Sequence, residues 1–371
     1  MSQKVIKKVV VKIGSSVIAP FGRLDSSLID SIVEDIIKAE KTGVKVVLVS
    51  SGAIASGLNV LGYKRRPTDT HSLMAISSVG QIALMDIFNA KFKKSGRMCA
   101  QILLTWDDFD DRQRFMNIRK TIDKLMSMNI VPVINENDVI SFQEIRFGDN
   151  DCLSALVADL INADLLIMLS DVKGLLKEGE LVDEVKEIDS SIASLARRED
   201  KVYTSGGMLT KLKAAKVATA SGIKTVIAYG REKGVILNIL NGKNIGTLFL
   251  PSQSKDRARK RWIAFSKKIK GRICIDDGAK DALLNRGKSL LGVGITAVER
   301  NFKKGDAVEV LDSQGKVAGC GLVNYSSQEL EDAKKKGLKK EVIHRDDFVK
   351  ASGNWHWDSC IISEKRAGKD E

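Results

Sequence analysis

Two lysine-containing segments of the sequence could bind phosphate. In Lys12–Ser16 (KIGSS), a cation stands beside Gly-Ser-Ser, whose backbone N–H groups suit an anion. In Ser205–Lys211 (SGGMLTK), a glycine pair precedes a predicted helix, and its lysine follows the second glycine by four residues. A helix N-terminus attracts negative charge. Neither segment is a P-loop, because G-x-x-x-x-G-K-[ST] is absent. Taken alone, the first segment is also explained by an ordinary turn, and the second by a glycine-rich loop followed by an exposed helix lysine.

Amide and carboxylate side chains cluster in two places, Asn135–Asp138 (NEND) and Gly148–Asp151 (GDND). Each cluster follows a predicted strand or opens a predicted helix. Helix capping accounts for one residue of the second cluster but not for all of them. Such groups can bind an α-amino group, orient a lysine or lie near Mg²⁺. Polar groups converging at strand ends favour a binding site over simple capping.

Small residues follow the second predicted strand (residues 44–49), in Ser50–Gly57 (SSGAIASG). They would allow a ligand to approach the backbone, and the start of the next helix favours an anion. A tight strand-to-helix connection explains them equally well. Ser170 and Asp171 stand at the end of the fifth predicted strand (residues 164–170) and are also candidates for a binding site.

The elements that would position these segments alternate between strands and helices. Val44–Val49 is a continuous apolar run of strand length, which is typical of a strand buried on both faces in a parallel sheet. We therefore expect an α/β fold with an open, mostly parallel sheet sandwiched by helices, binding ligands beyond the strands' carboxyl ends. The predicted strands cover 5–13, 44–49, 98–104, 130–135, 164–170 and 224–229, and the predicted helices cover 27–41, 72–94, 115–128, 151–163 and 208–221.

The pattern changes near residue 250. We predict a catalytic domain at 1–250, a polar linker at 251–269, a small mostly-β domain at 270–350 and a polar, partly disordered tail at 351–371. Short strands are predicted at 272–275, 307–311 and 317–322. Asp312–Lys316 (DSQGK) is predicted to form the hairpin loop between the last two.

Composition excludes several classes of protein. The chain has 371 residues, of which 43% are hydrophobic and 29% charged, as in an ordinary soluble globular protein. The apolar runs are strand-sized and no signal-peptide pattern precedes them, so we expect no membrane span and a cytoplasmic location. The five cysteines lack C-x-x-C spacing and the three histidines lack ligand spacing, so no protein-ligated metal is expected.

The net charge of +13 is uneven, since residues 256–371 carry +7 of it. A basic small domain could bind RNA, although a solvated surface that keeps the protein soluble is equally compatible.

Taken together, six segments resemble the glutamate 5-kinases of the amino acid kinase family. They occur in the family's order as VVVKIGSSV, VSSGAIASG, NIVPVINENDVI, FGDNDCLSALVA, SDVKGL and SGGMLTKLKAA. The later segments GRICIDDGAKDALLNRGKSLLGVGI and KKGDAVEV resemble a PUA domain. The resemblance implies ATP-dependent phosphorylation of the γ-carboxylate of L-glutamate to L-glutamyl 5-phosphate, the first step of proline biosynthesis.

The resemblance also implies residue roles. Lys12 and Lys211 would contact the transferring phosphoryl group, and Asp151 would orient both lysines by charge pairing. Glutamate would be held by Ser51, Asp138 and Asn150, with Asp149 assisting. The nucleotide would be bound by Lys12, Ser170, Asp171, Ser205, Gly206, Gly207, Met208, Leu209, Thr210 and Lys211.

Magnesium would be held mainly by the ATP phosphates, proline would inhibit, and the chain would form a homo-oligomer, a dimer or a tetramer.

The sequence departs from the family in three places: Ser205 replaces a usual threonine, the 174–205 stretch is short and lacks Asp-Pro after Gly-Leu, and the tail has no counterpart. The short stretch borders the nucleotide, so it bears on nucleotide choice or affinity. Two alternatives remain: an RNA-binding or regulatory protein on a kinase scaffold, and a kinase of another amino-acid carboxylate.

Overall fold

The computed structural model describes residues 5–140, 150–199, 207–252, 260, 263, 269–333 and 341–351. The chain divides into two compact units, Met1–Lys255 and Asp256–Glu371. Most of the predicted linker and the tail at 352–371 lie outside the described residues, so the three borders between the four predicted segments stay predictions.

The first unit alternates strands and helices along the chain. Its strands are β1 (Lys8–Ile13), β2 (Lys45–Ser50), β3 (Met98–Leu104), β4 (Ile130–Glu136), β5 (Leu165–Ser170), β6 (Leu176–Lys177), β7 (Glu180–Leu181), β8 (Glu184–Val185), β9 (Lys224–Tyr229) and β10 (Thr247–Phe249). Its helices are α1 (Ser15–Ile18), α2 (Ser26–Lys41), α3 (Ala53–Val60), α4 (Thr70–Lys94), α5 (Trp106–Asp110), α6 (Arg112–Ser127), α7 (Asn150–Leu160), α8 (Ser190–Glu199), α9 (Met208–Ala220) and α10 (Val235–Leu240). Each of the predicted elements of this unit is present, with ends displaced by only a few residues.

Eight strands form one sheet in the order β3-β4-β2-β1-β5-β9-β10-β8. The six strands from β3 to β9 pair in parallel, whereas β10 runs antiparallel to β9. The predicted open, mostly parallel sheet is confirmed. The chain moves from β1 to one side through β2 and later to the other side through β5, so a crevice is expected where β1 and β5 meet.

Helices cover the sheet on opposite faces. Val9, Val11 and Ile13 of β1 pack in one core with the apolar stripe of α2 and with residues of α4 and α10. Successive side chains of a strand point to opposite faces, so Lys12 is directed away from this core. Asp25 caps α2 by accepting a hydrogen bond from the Leu28 N–H at 3.1 Å.

The α3 and α4 helices cross in contact at two glycines. A Cβ added at Gly80 would lie 1.8 Å from the Ala53 carbonyl oxygen, and one added at Gly57 would lie 1.9 Å from the Ile76 carbonyl oxygen. Only glycine allows the two backbones to approach this closely. Among the described residues, α4 is also the one helix long and apolar enough to cross a membrane by length and composition, a test that the core helix of a soluble protein also passes.

The second unit is a small mixed sheet with its own core. It contains β11 (Ile269–Ile275), α11 (Asp277–Leu284), β12 (Ile295–Glu299), β13 (Ala307–Leu311), β14 (Val317–Leu322), α12 (Ser327–Ala333) and β15 (Phe348–Lys350). The strand order is β12-β11-β13-β14-β15. β13 and β14 are antiparallel, and the Asp312 N–H donates to the Lys316 carbonyl at 2.8 Å, so the predicted mostly-β domain and hairpin are confirmed.

Candidate active site

The segments singled out from the sequence meet at the carboxyl edge of the parallel sheet. The loops that leave β1, β2, β4 and β5 all start there, because these strands are parallel. Backbone hydrogen bonds tie the loops together: the Gly14 N–H donates to the Leu169 carbonyl at 3.1 Å, and the Ser51 N–H donates to the Ile13 carbonyl at 3.2 Å. The backbone around Lys12 is therefore held firmly on both sides.

Lys12, Asp151 and Lys211 form a buried charged cluster. The Lys12 ammonium contacts Asp151 Oδ1, and the Lys211 ammonium lies 3.2 Å from Asp151 Oδ2. The three side chains come from β1, the first turn of α7 and the first turn of α9. All three residues are at most 6% exposed. Thr210 adds a hydroxyl 3.1 Å from the same carboxylate oxygen.

This cluster carries a net positive charge. Burial raises the pKa of Asp151, but the charges of Lys12 and Lys211 and their hydrogen bonds outweigh it and hold the pKa below its ordinary value of 3.8. Asp151 is therefore ionised at neutral pH. Two ammonium groups share one carboxylate, so these three side chains together carry a net charge of +1, which favours an anion.

Space and backbone N–H groups for an anion lie beside the cluster. A Cβ added at Gly14 would lie 3.6 Å from Lys12 Nζ, so the glycine leaves open the volume next to the ammonium. Within the part of the chain that the structure describes, no side chain caps the start of α9 after Gly207, and the first N–H groups of such a helix attract an anion. Phosphate fits both features.

Amide side chains form a second part of the site. The Asn150 Nδ2 group lies 2.9 Å from Ser51 Oγ, 2.9 Å from Asn135 Oδ1 and 3.3 Å from the Ser50 carbonyl. Asn135 Nδ2 donates to Gln81 Oε1 at 2.8 Å. Asn150 Oδ1 is buried and accepts no hydrogen bond from the described part of the chain. An acceptor in this state is suited to a donor on a ligand.

Asp138 lies just beyond β4 and accepts a hydrogen bond from the hydroxyl of Ser77 on α4. Burial raises the pKa of Asp138 above its ordinary value of 3.8, while the Ser77 hydrogen bond and the charge of Arg66 oppose the rise. A half-buried carboxylate here suits a cationic ligand group.

The region after β5 contains the remaining polar candidates. Ser170 is buried and its hydroxyl lies 3.1 Å from Asp171 Oδ1, while Asp171 is exposed. The Ser170 carbonyl accepts the Gly230 N–H at 2.8 Å. The short stretch that follows forms the β6–β7 hairpin, and the Leu175 N–H donates to Thr247 Oγ1 at 2.8 Å, which joins the stretch to β10.

The structure brings six of the predicted residues into two clusters, whereas the hydrogen bonds of Asp138 to Ser77 and of Ser170 to Asp171 lie outside both. Lys12, Asp151, Thr210 and Lys211 meet in one cluster, and Ser51 meets Asn150 in the other. Asp149, Ser205 and Gly206 lie outside the described residues. The catalytic and binding roles of all these residues stay predictions.

Two residues that contact the site, Ser77 and Gln81 on α4, are not predicted from the sequence. Nor is the hydrogen bond from Asn135 to Gln81. The available signal was a small and polar stretch, Ser77–Gln81, inside an otherwise apolar helix. In the described residues, no group of three or more His, Cys, Asp or Glu side chains is arranged to hold a metal ion.

A parallel sheet with two buried lysines at its carboxyl edge, a glycine loop and an open helix start defines a class of phosphate-handling enzyme. The model of the amino acid kinase family matches residues 7–229, and that of the PUA domain matches residues 271–345. The chain therefore belongs to the amino acid kinase family.

Particular members are similar over nearly their whole length. The chain is 43% identical to a glutamate 5-kinase of Methylococcus capsulatus, with 92% of this chain and 97% of the relative covered. It is 42% identical to one of Nitrosospira multiformis and 39% identical to one of Thermoanaerobacter pseudethanolicus, with the same coverage. The resemblance drawn from the sequence segments is confirmed.

Proposed function

We propose that this chain transfers the γ-phosphoryl group of ATP to the side-chain carboxylate of L-glutamate, forming L-glutamyl 5-phosphate, the first step of proline biosynthesis. The observation that carries the proposal is the pair of buried ammonium groups joined by Asp151, whose chain neighbour Asn150 bonds to the Ser51 hydroxyl. The relatives named glutamate 5-kinase support it.

Phosphoryl transfer needs positioning and charge stabilisation more than covalent chemistry. Lys12 and Lys211 supply two cations that are already fixed in place by Asp151, so little reorganisation is needed as charge moves between oxygens. The side-chain carboxylate of glutamate is ionised at neutral pH, so no general base is required. Gly14 leaves room beside Lys12 for the group in transfer.

Glutamate is held in this proposal by Ser51, Asp138 and Asn150. The buried, unsatisfied Asn150 Oδ1 accepts an N–H of the α-ammonium group. Asp138 supplies the opposite charge for that ammonium, and Asp149 assists.

The nucleotide is held by Ser170, Asp171 and the segment Ser205–Lys211, with the phosphates against the first turn of α9. Both oxygens of Asp151 already contact lysines, so this carboxylate is not free to ligate a metal. That donor set fits Mg²⁺ carried by the ATP phosphates. When bound, Mg²⁺ neutralises phosphate charge.

The activity is tested by trapping the acyl phosphate with hydroxylamine in the presence of ATP and Mg²⁺. L-Glutamate should give hydroxamate, and aspartate and N-acetylglutamate should not. Reaction of another acid with no reaction of glutamate would overturn the substrate assignment.

The role of Lys211 is tested with Lys211→Met, compared with Lys213→Met. The two lysines are two residues apart on α9, so they point in different directions. We expect Lys211→Met to lower kcat by about 10²–10³-fold. Lys213→Met should leave kcat unchanged, and equal activity of the two variants would contradict the mechanism.

We further propose that the chain acts in the cytoplasm as a homo-oligomer, a dimer or a tetramer, and that proline inhibits it. The likeness to glutamate 5-kinases over 92% of the chain supports these points. Light scattering and the hydroxylamine assay with added proline test them.

A further inference from the structure

We propose that Ser77 and Gln81 of α4 are positioning residues for the substrate pocket. Gln81 accepts from Asn135 and so helps to hold it in the orientation that presents Oδ1 to Asn150, and Ser77 holds Asp138. The inference rests on the proposed function, because it concerns the groups that hold glutamate there.

One face of α4 carries both residues. They are four positions apart, so they lie on the same side of the helix one turn from each other. Both are at least nine-tenths buried, although they are polar. The close crossing at Gly80 presses this face of α4 against α3, and α3 follows directly from the loop that contains Ser51.

Backbone groups determine which way the side-chain amides of Asn135 and Asn150 point. The Glu136 N–H can only donate, and it donates to Asn135 Oδ1 at 2.9 Å. The other end of that amide, Nδ2, therefore faces Gln81 and needs an acceptor, which Gln81 Oε1 provides.

Asn135 Oδ1 and the Ser50 carbonyl, both acceptors, then select the Nδ2 end of Asn150. The amide end left for the pocket is Asn150 Oδ1. The backbone groups of Glu136 and Ser50 thus select the orientations of Asn135 and Asn150, and Gln81 Oε1 stabilises that of Asn135 by accepting its Nδ2 group.

Loss of the Gln81 acceptor would leave Asn135 Nδ2 buried without its partner. If the Asn135 amide then rotated, its Nδ2 group would face the Nδ2 group of Asn150. Both groups are hydrogen-bond donors, so they would repel each other. The pocket would lose its fixed acceptor for the substrate ammonium while Lys12 and Lys211 stay in place, because their contacts with Asp151 do not involve the amide series.

Ser77 acts on the other polar group of the pocket. Its hydroxyl donates to Asp138 Oδ2, which fixes the carboxylate and leaves Oδ1 for a ligand. The adjacent Ser78 is exposed, and its hydroxyl donates to the Met74 carbonyl of its own helix at 2.9 Å. Ser78 is therefore a matched control on the same helix.

The test measures KM for the acid substrate, KM for ATP and kcat in four variants of the full chain. Gln81→Met keeps the side-chain length and removes the acceptor, and Asn89→Leu removes an exposed amide of the same helix as its control. Ser77→Ala is compared with Ser78→Ala. We expect Gln81→Met and Ser77→Ala each to raise KM for glutamate about tenfold. KM for ATP should stay unchanged, and so should all constants of both controls.

A fifth variant, Gln81→Glu, keeps an acceptor oxygen for Asn135 Nδ2 and should bring KM for glutamate back towards the wild-type value. A normal KM for glutamate in folded Gln81→Met and Ser77→Ala would overturn the inference. A fall in active fraction with both KM values unchanged would do the same, because it indicates a structural role only. Failure of the proposed function appears separately, as a wild-type protein that does not phosphorylate glutamate.

Discussion

Replacing Asp151 with asparagine removes the charge that holds two buried lysines together. Asparagine has nearly the same shape, so packing is kept while the negative charge is lost. Lys12 and Lys211, at 5% and 6% exposure, are then buried cations without that partner's charge. Their mutual repulsion should displace one of them from the phosphate-binding position.

The size of the effect follows from burial. Removing one partner of a buried ion pair costs about 3–5 kcal/mol, because the remaining charge is left uncompensated. Asp123 of α6 gives a matched comparison, because it pairs at 2.9 Å with Lys8, a lysine of the same strand β1, but both side chains are about a third exposed or more. Asp123→Asn should cost less than about 1 kcal/mol, as exposed pairs do.

Differential scanning calorimetry of both variants measures the difference. Asp151→Asn should lower the melting temperature much more than Asp123→Asn, and inorganic phosphate should recover more of the loss in Asp151→Asn, because the anion replaces the missing charge. The hydroxylamine assay should show a large fall in kcat for Asp151→Asn alone. Equal and small shifts in the two variants would refute the reasoning that Asp151 organises the lysines.

Further predictions concern the α3–α4 crossing, a helix of the second unit and Asp138. Gly80→Ala should lower stability by about 1–3 kcal/mol in urea titrations, because its Cβ meets the backbone of α3, and should raise KM for glutamate. Gly278→Ala, at a helical glycine with only an ordinary contact, should leave stability unchanged or raise it. Since burial raises the pKa of Asp138, KM for glutamate should rise as pH falls through that pKa, in kinetics from pH 8 down to about pH 5. Ser77→Ala removes a hydrogen bond that lowers this pKa, so the rise should begin at higher pH, and an unshifted profile would count against Asp138.

The elements of the fold were predictable because their signals are local. The apolar stripe of α2, its Asp25 cap and the buried run of β2 each depend on residues a few positions apart. The short helices α5, α8 and α10 were not predicted, since a few residues give too little periodicity.

Strand ends were predictable as site segments for the same kind of reason. In a parallel sheet the carboxyl ends share one edge, so the sequence predicts that the segments with Lys12, Ser51, Asp138 and Ser170 lie along that edge.

What the sequence alone determined is therefore the order of strands and helices, the edge of the sheet that carries the chemistry, and the residue types available there. Only the tertiary structure decided which groups touch. Asp151 pairs with lysines 139 and 60 positions away, and Asn135 bonds to Gln81 across 54. The contact of Gln81 depends on how closely α4 crosses α3 at Gly57 and Gly80, and the contacts of Asp151 depend on which faces α7 and α9 turn inward. Such distances are set by packing of the whole unit, and no local pattern encodes them.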